Sequence, residues 1–532
     1  MDIIKCVSKG VWYRFALVIC LCSGVTGYAQ NTIWTNEYVL ESRLSTPEFI
    51  GVDDDNIICY TEYADQFYVE CYNRTHNYRC YRNKVLFSDI GIENVTVKKV
   101  VYLDSSIWAC GWSYGKRNNK YQVHLARINP KTGRFIDSSQ KVLLTQIVSS
   151  SKEVGDFDLI FSPNQKRVLL YHIRTDEKHD LIIKNFRVLN TGFDEIESKT
   201  LELPKAEYND LGPKFIDDFG SIYGLELSDD KIVNVVSYDI EGNLNERKEL
   251  INIDYNSEKA YITNVKAGVS PNNEFVVVGF YLTKMPSDNS FKSEIKPKYY
   301  KWKIRGAIFF KKKNVLAKGN VELSLFEFKF FDKLRSFYNT GQGKGIMYNE
   351  YSNEKLLFNG SDLFFLSERK YMQSARDYLY TFLDQVVVLK FDNDGKLSWT
   401  QVVAKRQKIT DKVNVGVLGS LVPDHYSNRF LSYSGFIVDN ELYIVFNDRK
   451  ENAEIIQLFN IEKPFGFGAK ALAVEAKLNI ESGVQTKQAR NQYKSSKFYF
   501  VPSATHNFQG EKLLLFINQK NYSYKIGWQS LE

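Results

Sequence analysis

The chain has 532 residues, enough for one large repeat domain or two to three ordinary ones, and its 44 % apolar content allows a sizeable core. The formal net charge of +7 is spread along the whole length, too weak and diffuse to read as nucleic-acid binding. With 34 Tyr and 36 Phe against 11 Pro and 4 Met, the composition favours strands, where flat rings pack on a pleated, half-buried surface.

Lys5, Lys9 and Arg14 precede an apolar run, Phe15–Cys22, and the small residues Gly27 and Ala29 precede Gln30. This pattern predicts a secretory signal peptide over residues 1–29. A retained anchor is the alternative, but the run is shorter than the about 20 apolar residues a membrane span needs. Ile19 and Leu21 stand before Cys20 and Cys22 where bacterial lipidation wants a small residue. No later stretch is apolar enough for a membrane helix. The mature chain is therefore expected to have no transmembrane segment and to be exported. Its expected place is the periplasm or the outer membrane, with the cell surface also open.

Next come the four remaining cysteines, Cys59, Cys71, Cys80 and Cys110. Cys71 and Cys80 flank NRTHNYR, a plausible hairpin, and are candidates for a disulfide across it. Four buried thiols are the other reading, since a chain this long needs no staples. There is no CxxC, and only His76 lies near enough to complete a zinc set, so no metal site is assigned.

From NIICYTEY onward, runs of Val, Ile, Leu, Tyr and Phe recur between Asp, Asn, Gly and Ser, which is strand punctuation. One hairpin type repeats, with its turn glycine at Gly133, Gly192, Gly242 and Gly395. The spacing is about 50 residues, or about three times that before Gly395, a period typical of four-stranded propeller blades. SPNQKR (Ser162–Arg167) and SPNNEF (Ser270–Phe275) each precede an apolar strand and read as turns between the first and second strands of a blade.

The fold expected is an all-β propeller of seven or eight four-stranded blades, with residues 30–532 as one domain. The segment Thr32–Ser42 would supply the missing strand of the last blade and close the ring. An insertion or long loop is expected around 285–350, and two smaller all-β domains divided near 335–350 are the alternative. Ser324–Asn339 and Ser367–Tyr380 are ambiguous between helix and strand.

Around 386–407 the sequence reads VVVLKFDNDGKLSWTQVVAKRQ. A calcium loop starting at Asp392 would need Glu at its last ligand position, and Val403 stands there. The Asp392-x-x-Gly395-x-x-x-Trp399 spacing instead resembles the blade repeat of quinoprotein-type propellers, in which the Trp packs between blades. Asp392 and Gly395 are expected to shape the turn and Trp399 to wedge against the next blade, with no quinone implied. GQGKG (Gly341–Gly345) lacks phosphate-loop spacing, HExxH is absent, and there is no GxSxG. No catalytic, cofactor-binding or metal-ligating residue is therefore assigned, and no cofactor is expected. The basic-Gln element Lys405, Arg406 and Gln407 is the one stretch left as a possible partner contact.

The stretch from NGSDLFFLSERKYM through KFDNDGKLSWTQVVAKRQ to DNELYIVFNDRKENAE resembles a family of exported, largely uncharacterised propeller-like proteins of Bacteroidota, over about residues 359–452. The shared features run from D-x-x-G-x-x-x-W to Lys405-Arg406-Gln407, Phe446-Asn447-Asp448 and Asn452. The resemblance implies a propeller-like fold and an envelope location and transfers no catalytic residue. The resulting expectation is a secreted, non-enzymatic scaffold that binds an envelope protein or glycan. The alternatives are a glycan-active hydrolase with acidic residues at the propeller channel and a quinoprotein-like cofactor or assembly scaffold.

Overall fold

In the computed structural model the chain forms eight four-stranded antiparallel blades in a ring, a β-propeller. The structure describes residues 33–530 except for 41–45, 54, 137–138, 206–213, 228–232, 239–245, 252, 256–257, 285–301, 327–345, 376–377, 413–429, 458–459, 462, 467–471, 490–497, 509–510 and 519–522. The expected signal peptide, Gly242 and GQGKG lie outside the described residues, as does much of the 285–350 region.

Blade 1 runs from its first strand, Glu48–Val52, through Asn56–Tyr63 and Gln66–Asn73 to Tyr78–Lys84. The first strands of blades 2 to 5 are Thr96–Leu103, Asp156–Phe161, Phe215–Ile216 and Tyr261–Val269. Blade 5 ends in Trp302–Lys312 and Asn320–Leu325, within the region where an insertion was expected. Blade 6 is the longest, with strands Ile346–Asn359, Asp362–Ala375 and Tyr378–Phe391 and an outer strand in two pieces, Leu397–Val403 and Gln407–Lys412. Blade 7 comprises Ser434–Val438, Glu441–Asp448, Leu472–Asn479 and Gln485–Ala489. First strands of neighbouring blades touch one another, which places them nearest the axis. Ser367–Tyr380, ambiguous in sequence, lies within strands of blade 6.

The ring exists because a middle strand is apolar on both faces. Every residue from Phe275 to Tyr281 is buried, and alternation divides their side chains between two neighbouring blades. Phe275, Val277 and Tyr281 pack toward blade 4, while Val276, Val278 and Phe280 pack toward blade 6. Eight buried apolar clusters among the described residues match the eight junctions between blades.

Blade 8 has its first strand in two pieces, Phe498–Phe500 and His506–Phe508, followed by Glu511–Asn518 and Ser523–Ser530. Its outer strand comes from the start of the chain. Ile33–Trp34 and Tyr38–Val39 pair antiparallel with Ser523–Ser530, with Trp34 opposite Gly527 and Tyr38 opposite Tyr524. The indole of Trp34 fills the space above Gly527, where a Cβ would meet it at 2.5 Å. The N-terminal strand thus closes the ring and leaves blade 8 without an open edge.

The turns repeat. Ser162, Asp217 and Ser270 each open the first-to-second-strand turn in blades 3, 4 and 5, and Gln165, Gly220 and Asn273 take the left-handed position in them. These turns also hold one another. Asn164 Nδ2 donates to Asp218 Oδ2 at 2.6 Å, and Asp218 N donates to Asn273 Oδ1 at 2.9 Å, so three successive blades are clasped. The paired carboxylates Asp217 and Asp218 are therefore turn residues.

The glycine turns lie between the third and outer strands. Gly133 has φ 64° and Gly395 φ 85°, but in blade 3 the left-handed residue is Phe193 (φ 61°), not Gly192 as the sequence suggested. There the side chain of Asn190 closes the turn on Asp194 N at 2.9 Å, which ties the loop without requiring glycine at that position.

Candidate functional site

The basic-Gln element lies where the outer strand of blade 6 breaks. Val403 pairs with Val386 and Gln407 pairs with Leu383, so Ala404, Lys405 and Arg406 face only Asp384 and Gln385. The neighbouring strands bulge at the same level, between Glu368 and Lys370 and between Ser352 and Lys355. Such bulges re-aim side chains. Here they gather a row of polar residues across one blade: Asn353, Glu368, Arg369, Asp384, Gln385 and Lys405.

The row is sealed. Lys405, Gln407, Glu368, Asp384 and Asp448 are each 0 % exposed. This corrects the expectation that Lys405, Arg406 and Gln407 form a surface contact for a partner. The Lys405 ammonium is ion-paired with Glu368 and also donates to Leu383 O at 3.2 Å and Gln407 Oε1 at 3.0 Å. The second oxygen of Glu368 accepts from Asn353 Nδ2 at 2.5 Å.

From there the bonding crosses to blade 7. Gln407 Oε1 accepts from Ser432 N at 2.7 Å, and its Nε2 donates to Asn447 O at 2.9 Å. Asn447 Nδ2 in turn reaches Phe500 O of blade 8 at 2.6 Å. Lys487, on the outer strand of blade 7, donates to Ala404 O at 2.8 Å and lies 3.8 Å from Asp448 Oδ2. Asn452 Nδ2 donates to Asp448 Oδ1 at 2.8 Å. Phe465 N, from the long loop of blade 7, donates to Arg406 O at 2.8 Å and starts a short parallel pairing with Gln407–Lys408.

Burial dominates the electrostatics of this junction. It raises the Asp384 carboxyl to about 6 despite Arg406 and Arg369 beside it, and lowers the Lys487 ammonium to about 8 despite Asp448. The chemistry is that of an interlock. Buried charges are tolerated because each has partners, and they fix one arrangement of the blades rather than adding net stability.

The sequence marked Lys405–Gln407, Asn447, Asp448 and Asn452, but not Glu368, Asp384 or Lys487. A signal for the first two was present. Ser367-Glu368-Arg369 and Asp384-Gln385 interrupt otherwise apolar strands at one level, which marks a shared bulge row.

Asp392 closes its own turn, accepting from Asp394 N at 3.0 Å and Lys396 N at 2.9 Å. Trp399 is half-buried; its Nε1 donates to Ile480 O of blade 7 at 3.0 Å, and its ring lies against Gly483. Gly133 and Gly395 meet Tyr81 and Phe309 of the preceding blades in the same way. Cys71 and Cys80, the candidate disulfide pair, are free thiols in this structure, as are Cys59 and Cys110. A bulge after Cys71 places Tyr81 opposite it and leaves Cys80 outside the register. First-strand carboxylates Asp156 and Asp158 are ion-paired with Lys98 and Lys99 of blade 2. No group of three or more metal-binding side chains occurs among the described residues.

One cleft opens to solvent between blades 1 and 2, with a volume of about 430 Å³. Its floor is Val85, Ile90, Ile128 and Phe135, part of the apolar cluster joining these blades. Its polar lining is Asn83, Lys84, Asp89 and Arg134. Asn83 Nδ2 donates to Thr132 O at 2.7 Å and Tyr81 OH to Pro130 O at 2.6 Å, so the two walls are bonded together. Lys84, Asp89 and Arg134 are exposed, and their side chains form no ion pair among the described residues.

No family model and no curated protein matches the chain. Among solved structures, the Dos1 propeller is 8 % identical with TM-score 0.37, covering 94 % of this chain and 96 % of its own. The WD40 domain of SCAP from fission yeast is 6 % identical with TM-score 0.35, over 95 % and 99 % of the two chains. The β-propeller domain of the Trilobed protease from Pyrococcus furiosus is 10 % identical with TM-score 0.30, over 83 % and 96 %. These likenesses concern fold alone and carry nothing about ligand or activity.

Proposed function

We propose that the chain is an exported envelope protein of Bacteroidota, a non-enzymatic propeller scaffold that binds a protein or glycan partner. The observation that carries this reading is the open cleft between blades 1 and 2. Its rim charges form no ion pair among the described residues, whereas the ionisable groups of the blade 6–7 junction are consumed in holding the ring together. Export is supported by the N-terminal sequence, and the Bacteroidota assignment by the resemblance over residues 359–452. The test is affinity capture from envelope fractions with the mature chain, together with a glycan panel scored for both binding and turnover. Specific retention of an envelope component without turnover is the expected result. Turnover of any glycan, with nothing retained, would replace this reading with the hydrolase.

A further inference from the structure

We infer that the cleft between blades 1 and 2 binds an acidic sugar, a hexuronate unit of a glycan. The inference rests on the scaffold reading and names its ligand. A volume of about 430 Å³ lies within the range of small-ligand sites. The lining combines three features that one such unit would use together. Arg134 and Lys84 supply cationic donors for a carboxylate, the guanidinium being suited to two parallel bonds. Asp89 and the side-chain carbonyl oxygen of Asn83 supply acceptors for neighbouring hydroxyls. Phe135, half-buried and backed by Ile128, supplies an apolar wall for the C–H face of the pyranose.

The mixture also excludes other occupants. A plain anion would leave Asp89 unused, whereas a uronate sets its carboxylate on the cations and its hydroxyls on Asp89. A neutral sugar would leave two cations without a counter-charge. The walls are preformed, since Asn83–Thr132 and Tyr81–Pro130 bond the two blades and Phe135 packs on Phe87 with centroids 5.2 Å apart. Little ordering is then needed on binding.

The test is calorimetric titration of the mature chain with oligogalacturonate and oligoglucuronate, the free monosaccharide acids, their carboxyl-reduced neutral counterparts, and an acidic peptide. Oligouronide binding is expected, weakened at least about tenfold by Arg134→Ala, by Lys84→Ala and by reduction of the sugar carboxyl. Phe135→Leu should weaken binding while keeping the preference for acid. Lys313→Ala, at an exposed lysine of blade 5, should leave it unchanged. Melting curves of each variant control for folding.

Oligouronide binding that survives Arg134→Ala and Lys84→Ala overturns the cleft assignment. So does binding of the peptide without the sugars, or of the free acids without the oligomers. If no uronide binds but an envelope partner is still captured, the inference fails and the scaffold reading stands. If neither binds, both fail.

Discussion

Tyr524 of blade 8 donates a hydrogen bond to Glu70 of blade 1 at 2.9 Å across the seam where the ring closes. Glu70 is 1 % exposed and also accepts from Thr61 at 2.6 Å and Tyr72 at 2.5 Å, with Arg79 and Arg82 at 3.4 and 3.3 Å. One carboxylate thus anchors both sides of the seam. Glu70→Ala leaves three hydroxyls and two guanidinium groups without this acceptor and should cost about 3 kcal/mol. Chemical denaturation reads the loss, and hydrogen exchange should show residues 33–39 opening first. Uniform loss of protection would argue against a seam-specific role.

At the blade 6–7 junction, Lys405→Ala strands the Glu368 carboxylate in the interior and should cost about 3–5 kcal/mol. Replacing both, with Lys405→Met and Glu368→Leu, removes the charges together and should recover most of that loss. A double-mutant cycle measures the coupling. Additive losses would show that the two do not act as a pair.

Trp399 and Gly483 form another inter-blade contact. Gly483 has φ 68°, and a Cβ there would meet the Trp399 ring at 3.0 Å, so Gly483→Ala combines backbone strain with a tight contact. A loss of about 1–3 kcal/mol is expected. Because Trp399→Ala removes the ring, Gly483→Ala should cost less in that background. Equal costs in both backgrounds would assign the whole effect to the backbone.

Acid should weaken the fold through His172. It is fully buried, with Nε2 against Val154 O at 2.8 Å and Nδ1 against Asn185 at 3.1 Å, and burial lowers its pKa to about 4. The folded value lies below the ordinary one of about 6.5. Below about pH 6.5 the unfolded chain therefore takes up a proton the native state does not, and stability falls until pH 4, by about 3 kcal/mol. Asp384, raised to about 6, has the opposite sign: between its ordinary value and pH 6 the native state holds the extra proton, so its contribution grows as pH falls. His172→Gln should flatten the acid loss in urea titrations across this range. An unchanged profile would place the acid sensitivity elsewhere.

The thiols should differ in reactivity. Cys80 is exposed, while Cys59, Cys71 and Cys110 are buried and their pKa values are raised by burial. Native alkylation followed by peptide mass mapping should label Cys80 first. Equal labelling of all four would mean that blades 1 and 2 open readily.

The blade repeat was legible because its cause is local. Short apolar runs, Asp or Asn before a left-handed residue, and a period near 50 residues each follow from neighbouring chemistry. Gly192 misled because side-chain bonds within the turn let Phe193 adopt the left-handed conformation. The basic-Gln element misled for a different reason. In one dimension Lys405 and Arg406 look like a solvated strand end. The partner of Lys405, Glu368, is 37 residues away, and only the aligned bulges bring the two together. The cleft left no trace at all, since Lys84 and Arg134 meet only when blades 1 and 2 stack.

Ring closure by the N-terminal strand makes that strand a separable part. Ile526 N donates to Thr35 Oγ1 at 3.1 Å across 491 positions of sequence, so the slot on blade 8 stays empty until the last-made segment meets the first. A chain beginning at residue 46 would present that slot as a bare edge. A synthetic peptide of residues 33–40, added in trans, should complement it and raise its melting temperature in proportion to peptide concentration. The same slot would admit strand exchange between two molecules, a domain-swapped dimer in which each ring is closed by its neighbour.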